Sequence, residues 1–398
     1  MISHRNSWHL WACAAIAIAV CTGCRDATQP MAPDVHEELA GFGGNSHNPG
    51  NGPLRVMTRN VYWGGDIGII LQTDFSDIPA VVASVNIVWA QFQASHIQER
   101  VGAIVDEIEK QRPHFVGFQE VVQIVTLDAL GEVTEVYDFV ELLQGEIDAR
   151  GLPYSFLAVQ ENTKTTLPKA LGLVNGQPKV TEAVRFTERI AVLAHDKLRA
   201  TSVAQGNYAA THSLGPGLEM KRGWIRVSSM RKGIPHHFVN THLEIQPLAP
   251  IQEAQAQELI NGVLAGLDGT TILVGDLNSN AEGGPGESSW TSTYGDLMDA
   301  GFSDAWELDR HRPQVVGYTC CQAADLRNEV SELDQRLDLI LMKSSQHRRG
   351  RSPLPGRASA EILGEEPEDR TTPHNLWPSD HAGLAARIWF QPNQGRGR

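Results

Sequence analysis

Apolar residues recur along the chain in two rhythms. Short dense runs at residues 54–62, 114–121, 154–160, 190–194, 224–230, 236–243, 271–278, 336–342 and 384–390 read as strands. Ile97, Val101, Ile104, Val105 and Ile108 fall instead on one face of a helix that Pro113 closes. Residues 251–267 repeat this rhythm through Ala256, Ile260, Val263, Leu264 and Leu267, residues 137–150 read as a further helix, and a short one is expected near 294–300. Polar stretches at 167–179 and 344–377 read as an insertion and a loop. Many strands mixed with a few helices predict an α/β domain whose polar residues collect at strand ends. Residues 64–94 are acid-poor, with Val81, Val82, Val85, Val88, Trp89 and Phe92 at mixed helical spacing. They read as an inserted helix packed on the domain or, more sharply, as a lid or lipid-facing element.

The run 271–274 stops on Gly275-Asp276-Leu277-Asn278-Ser279. A buried strand that ends on an acid and an amide two residues apart projects both to one side, about 7 Å from each other. One phosphate-sized group could meet both, although a polar strand end turning into the glycine-rich loop 283–286 explains the same residues.

Charge narrows the function classes. With 33 basic and 47 acidic residues the formal net charge is −14, which argues against a broad basic face for nucleic acid and leaves room only for a local patch. The N-terminus differs from the body: Arg5 is followed by the apolar run 10–20 and then by Cys21-Thr22-Gly23-Cys24. That is the layout of an export signal. The small residues before Cys24 resemble a bacterial lipobox, which implies that residues 1–23 are removed and that a lipid on Cys24 anchors the protein to a membrane. Residues 24–53, rich in Gly, Asn and Pro, read as a flexible linker, residues 54–392 as the folded domain and 393–398 as a tail. Only Cys320 and Cys321 would then remain unmodified. Across a trans peptide their Cα atoms lie about 3.8 Å apart, so no disulfide between them is expected.

Strand ends also carry Asn60, Glu120, His242, Asp338, Asp380 and His381. Each is set in a short pattern: Thr58-Arg-Asn60-Val, Gln119-Glu120-Val, Asn240-Thr-His242-Leu-Glu, Gly275-Asp276-Leu-Asn278, Arg336-Leu-Asp338-Leu-Ile and Ser379-Asp380-His381. In this order they resemble the endonuclease/exonuclease/phosphatase superfamily, over about residues 54–390. The resemblance implies a four-layer α/β sandwich of two mixed β-sheets flanked by helices, and cleavage of phosphate esters with a divalent metal. Phosphodiester hydrolysis needs charge neutralisation at the phosphoryl oxygens, a base for water and help for the leaving oxygen, and these side chains can supply all three.

Roles follow from the resemblance position by position. Glu120 holds the metal with Asn60 beside it and Asp380 in support. Asp276 and Asn278 orient the attacking water and a phosphate oxygen. His381 contacts the phosphate, aligned by Asp338, and His242 is the other catalytic imidazole. Secreted pancreatic-type deoxyribonucleases pair that His with a Glu in Tyr-x-Glu-Arg; here Phe186-Thr-Glu188-Arg189 makes Glu188 the expected partner, with a surface pair to Arg185 or Arg189 as the plainer reading. Arg222, before Gly223, is a candidate phosphate contact or a hairpin cap, and Asp304 reads as structural. Hard oxygen ligands suit Mg²⁺ or Mn²⁺, with Ca²⁺ a candidate structural ion. The leading expectation is an exported phosphodiesterase acting on nucleic acid, endonuclease-like, although Val122 replaces a groove-contacting Arg of those nucleases. A sphingomyelinase-like phospholipase C acting on a phospholipid head group is the alternative, and a non-catalytic surface binding lipoprotein the third. No protein partner is implied.

Overall fold

The computed structural model describes residues 52–391, apart from 216–217, 232, 288, 311–314, 348–349 and 352–353. The expected signal at 1–23, nearly all of the linker 24–53 with Cys24, and the tail 393–398 lie outside the described residues. Among the described residues no helix is long and apolar enough to cross a membrane.

The chain runs β1 (Leu54–Asn60), α1 (Ile67–Leu71), α2 (Ile78–Ala94), α3 (Ile97–Gln111), β2 (Phe115–Gln119), β3 (Gln123–Leu127), β4 (Val133–Asp138) and α4 (Phe139–Ala149). Next come β5 (Tyr154–Val174), β6 (Gln177–His195), β7 (Ala200–Asn207), β8 (His212–Gly215), β9 (Leu218–Met220), β10 (Gly223–Arg231), β11 (Ile234–His242) and α5 (Ala249–Glu258). The last part holds β12 (Thr270–Asp276), α6 (Thr293–Asp299), β13 (Ser303–Asp304), β14 (Asp338–Ser344), β15 (Gln346–His347), β16 (Gly350–Arg351), β17 (Leu354–Leu363) and β18 (Gly383–Gln391). One sheet has the order β17-β18-β1-β2-β6-β3-β4 with β5 folded onto β6; the other has the order β13-β14-β12-β11-β10-β7. Both are mixed, because β1 runs parallel to β2 and β11 parallel to β12 while their other neighbours are antiparallel.

Strand alternation builds the layers. In β12, Ile272 and Val274 face the apolar cluster between the sheets, while Leu273 faces the cluster under α5 and α6. Phe238 and Val239 in β11, and Ile340 and Leu341 in β14, divide the same way, as a period of two requires. The outer face of the first sheet, through Val116, Phe118 and Leu193, packs on Val85, Phe92, Ile104, Ile108 and Leu143 of the helices. The result is the expected four-layer α/β sandwich. Gly117 brings the sheets together near the site: a Cβ there would lie 2.5 Å from Val274 and 2.6 Å from the Asn240 amide oxygen.

Several elements depart from their sequence pattern. The expected insertion at 167–179 is the outer half of one long hairpin, with strands of 21 and 19 residues. Its β6 portion faces water on both sides, so it carries no apolar alternation to announce it. The expected loop 344–377 contains β17, an edge strand whose buried positions include Ala358 and Ala360, residues of low β-propensity. The helix expected over 251–267 is shorter, ending at Glu258 and passing into a π-helical turn through Val263. The sulfurs of Cys320 and Cys321 are placed against one another, where no disulfide was expected, and the peptide between the two residues is cis.

Candidate active site

Register alone assembles half of the site. His242 pairs with Asp276 across β11 and β12, and Asp276 pairs with Asp338 across β12 and β14, so three polar side chains stand at one level of the second sheet. On the first sheet Asn60 pairs with Gln119, which places Glu120 one step beyond, and β18 begins just after Asp380 and His381. Asn240 bolts the sheets at this end: its amide nitrogen donates to the Phe118 and Ala191 carbonyls at 2.9 and 3.0 Å, and its oxygen accepts from Gln119 at 2.7 Å. Glu120 and Asn278 both adopt left-handed backbone, with φ of 58° and 49°. Such conformations are uncommon outside glycine and concentrate where surrounding structure imposes them.

Asp276 is the centre. Its Oδ2 accepts from the Asn60 amide at 3.1 Å and stands 3.5 Å from Nε2 of His242 and 3.9 Å from Nε2 of His381. Its Oδ1 accepts the Asn278 backbone N–H at 2.9 Å. Burial opposes charge on this carboxyl, but the two imidazoles and these hydrogen bonds hold its pKa below the ordinary value. His381 lies 2.7 Å from Oδ2 of Asp338 through Nδ1. Burial disfavours its charge, yet Asp338, Asp276 and Asp380 together raise its pKa well above that of a free imidazole.

On the other side, Nδ1 of His242 lies 3.4 Å from Oε1 of Glu188. Arg189, one of the two competing partners, is engaged elsewhere: it pairs with Asp138 at 2.5 Å and donates to the Val121 and Val122 carbonyls. Arg222 donates to Glu244 at 3.0 Å and sets Nη1 about 3.1 Å from the His242 ring. Burial works against its charge, but Glu244 and Glu188 raise its pKa above the ordinary value. Asn278 donates to the Leu243 carbonyl at 3.0 Å and lies 3.3 Å from Nε2 of His242.

Glu120 receives the Asn60 amide at 3.2 Å and the Trp63 backbone N–H at 3.2 Å. The Asn60 oxygen is taken by the Tyr62 N–H at 3.0 Å, which fixes the amide so that its nitrogen faces the acids. Asn60 therefore stands beside Glu120 as a bridge between acids, with its oxygen turned away from them. Asp380 belongs to the same acidic group: burial, with Glu120 and Asp276 nearby, pushes its pKa up to about 7 against the opposing effect of His381 and Arg100. Crowded carboxylates of this kind are short of positive charge and, as hard oxygen donors, fit a divalent cation such as Mg²⁺ or Mn²⁺. Asp276, Asp338 and His381 also converge closely enough for a metal. The short Asp338–His381 hydrogen bond and the raised imidazole pKa instead make that group a hydrogen-bonded ion cluster.

Sequence reading overlooked the supports. Arg59 donates to Glu107 at 2.8 Å and to the His381 carbonyl, and Arg100 donates to the Val61 and Tyr62 carbonyls at 2.8 and 2.9 Å and to that of Pro378 at 3.2 Å. Two buried guanidiniums thus hold the loops after β1 and before β18. An Arg inside an apolar strand pattern, as at Arg59, was the available signal. Asp304, read as structural, pairs with Arg336 two residues before Asp338, and Glu282 holds the same guanidinium at 2.8 Å. Among candidate site residues the structure thus brings Asn60, Glu120, Glu188, Arg222, His242, Asp276, Asn278, Asp338, Asp380 and His381 to one end of the two sheets.

The fold resembles solved structures. A family protein from Leptotrichia buccalis C-1013-b aligns over 85% of this chain and 100% of its own, with 14% identity and a TM-score of 0.50. Beutenbergia cavernae DSM 12333 supplies an endonuclease/exonuclease/phosphatase structure with 17% identity, 85% and 72% coverage and a TM-score of 0.48. The mannosyl-6-phosphatase Bt3783 of Bacteroides thetaiotaomicron VPI-5482 gives 15% identity, 85% and 100% coverage and a TM-score of 0.48. No curated protein matches in sequence. The model of the Endonuclease/Exonuclease/phosphatase family matches residues 88–381, and the chain belongs to that family, whose members are phosphoesterase hydrolases.

Proposed function

We propose that this protein is an exported, divalent-metal-dependent phosphodiesterase. The observation that carries the reading is Asp276 Oδ2 set between the Nε2 atoms of His242 and His381, at 3.5 and 3.9 Å. A carboxylate flanked by two imidazoles is suited to holding a water while a phosphoryl group is bound and a proton is moved. Family members generally use divalent metal ions. Here Glu120 and Asp380 would hold Mg²⁺ or Mn²⁺, with Asn60 beside Glu120. When bound, the ion supplies positive charge to the phosphoryl and leaving oxygens.

The chain's own groups divide the rest. Asp276 and Asn278 orient the attacking water and one phosphate oxygen. Glu188, 3.4 Å from Nδ1 of His242, favours the proton on that nitrogen electrostatically, which leaves Nε2 to exchange a proton with the reacting groups. Asp338 fixes the Nδ1 proton of His381, which leaves an Nε2 proton to donate to a phosphoryl oxygen. Arg222 adds charge beside His242. The substrate is a phosphodiester, drawn from nucleic acid or from a phospholipid head group.

Full-length protein with Mg²⁺, Mn²⁺ or EDTA, offered plasmid DNA, RNA, sphingomyelin and an aryl phosphodiester, tests the reading. Metal-dependent turnover that falls in His242→Ala supports it; metal-independent turnover, or turnover unchanged in the variant, sinks it. Export and anchoring are tested separately. Cys24→Ser should move the protein from the membrane fraction to the soluble one.

A further inference from the structure

Beside the acids and imidazoles lies a cavity of about 100 Å³ that is apolar over most of its lining and open on one side. Ile67 and Ile70 of α1 form one wall, Leu167 and Phe186 of the long hairpin a second, and Leu214 and Leu218 of β8 and β9 a third. Trp63 packs edge-on against Phe186 at 5.1 Å between ring centres. The inner end is lined by Glu120, Glu188 and Arg222, so the cavity opens directly onto the proposed metal and His242 side of the site.

Resting on the proposed phosphodiesterase reading, we infer that this cavity binds a hydrocarbon substituent of the phosphate ester, and that the substrate is an amphiphilic phosphodiester. A nucleobase or a sugar set against Ile67, Ile70, Leu167, Phe186, Leu214 and Leu218 would bury hydrogen-bonding edges on apolar walls, since away from Glu120, Glu188 and Arg222 the polar side chains of the described lining are those of Thr163 and Thr165. Each unmet polar group would cost about 1–3 kcal/mol. A hydrocarbon arm carries no such cost. Arg222 is the one cation among the described lining residues, which suits a single phosphate rather than a polyanion. An apolar cavity of roughly 150 Å³ accommodates a benzene, so this one seats about four methylenes while the rest of a longer chain leaves by the open side. Residues 64–94 thereby divide their work: α2 buries Val81, Val85, Val88 and Phe92 in the core, and α1 turns Ile67 and Ile70 to the cavity.

Binding of n-alkyl phosphates from methyl to octyl, measured by calorimetry on the full-length protein with Mn²⁺, tests the cavity independently of catalysis. Affinity should rise about three- to fourfold per methylene up to roughly four carbons and then level off. Leu214→Ser and Leu218→Ser should each flatten that slope. An affinity independent of chain length, or a slope unchanged in both variants, overturns the inference. Turnover of bis(p-nitrophenyl) phosphate in the same preparations reads the catalytic proposal separately, so a flat slope with turnover removes only the cavity's role, and a rising slope without turnover removes only the phosphodiesterase reading.

Discussion

Glu188 and His242 lie on strands of different sheets, yet Oε1 of the one stands 3.4 Å from Nδ1 of the other. Among the described residues neither Glu188 oxygen has a hydrogen-bond partner within bonding geometry, and both are buried. A buried carboxylate facing one imidazole serves to orient and charge-balance that ring.

Glu188→Gln should therefore lower kcat by about 10- to 100-fold, a fraction of the ~10²–10⁴-fold that general acid–base catalysis contributes, with KM little changed. The amide retains the shape but not the charge. Steady-state kinetics on an aryl phosphodiester, with circular dichroism to confirm folding, measures this; a KM effect alone would mean that Glu188 binds substrate instead of positioning His242.

Removal of metal should abolish turnover, and Mn²⁺ or Mg²⁺ should restore it. Glu120→Gln should raise the metal concentration for half-maximal rate at least tenfold, because a neutral oxygen replaces a charged one in a site whose acids are crowded. Metal titration of the rate in both proteins gives the answer.

Gly275→Ala should destabilise the fold by roughly 3 kcal/mol, since overpacking and a strained backbone each cost about 1–3 kcal/mol. Gly275 has φ +147°, and a Cβ there would come within 2.0 Å of the Thr241 carbonyl oxygen. Urea midpoints measure the loss, and activity per folded molecule should fall as well because Asp276 follows directly.

Acid should weaken the fold through His236. Burial, with Arg231 and His237 beside it, pulls its pKa down to about 3, against about 6.5 when unfolded. The unfolded chain therefore binds a proton below about pH 6.5 that the folded chain refuses until about pH 3. Stability from the neutral ring is complete above pH 6.5 and declines as pH falls. Relative to His236→Gln, the wild type should lose about 1.4 kcal/mol per pH unit between pH 6 and 4, seen in urea midpoints taken across that range; parallel curves would refute it.

Much of this molecule was legible before any coordinates. Strand ends that stop on acids, amides and imidazoles are visible because a buried strand must be apolar until it leaves the sheet, so Asp276 after Val274 and Glu120 after Phe118 mark one edge. The six motifs in order carried most of the site list, and the separate Phe186-Thr-Glu188-Arg189 pattern offered Glu188. Elements without apolar contrast stayed hidden: the outer hairpin of β5 and β6, exposed at the start of β6, and β17 with its buried alanines.

Periodicity and local motifs carried the fold class, most of the core-forming elements and the identities of the candidate site residues. Tertiary structure decided which side chains meet. Glu188 turned to His242 because Arg189 was engaged by Asp138. Asn60 turned its nitrogen to the acids because the Tyr62 N–H took its oxygen. The apolar cavity is assembled from α1, the long hairpin and the β8–β9 hairpin. These outcomes depend on competition among partners far apart in the chain, and such competition is settled only when the layers pack.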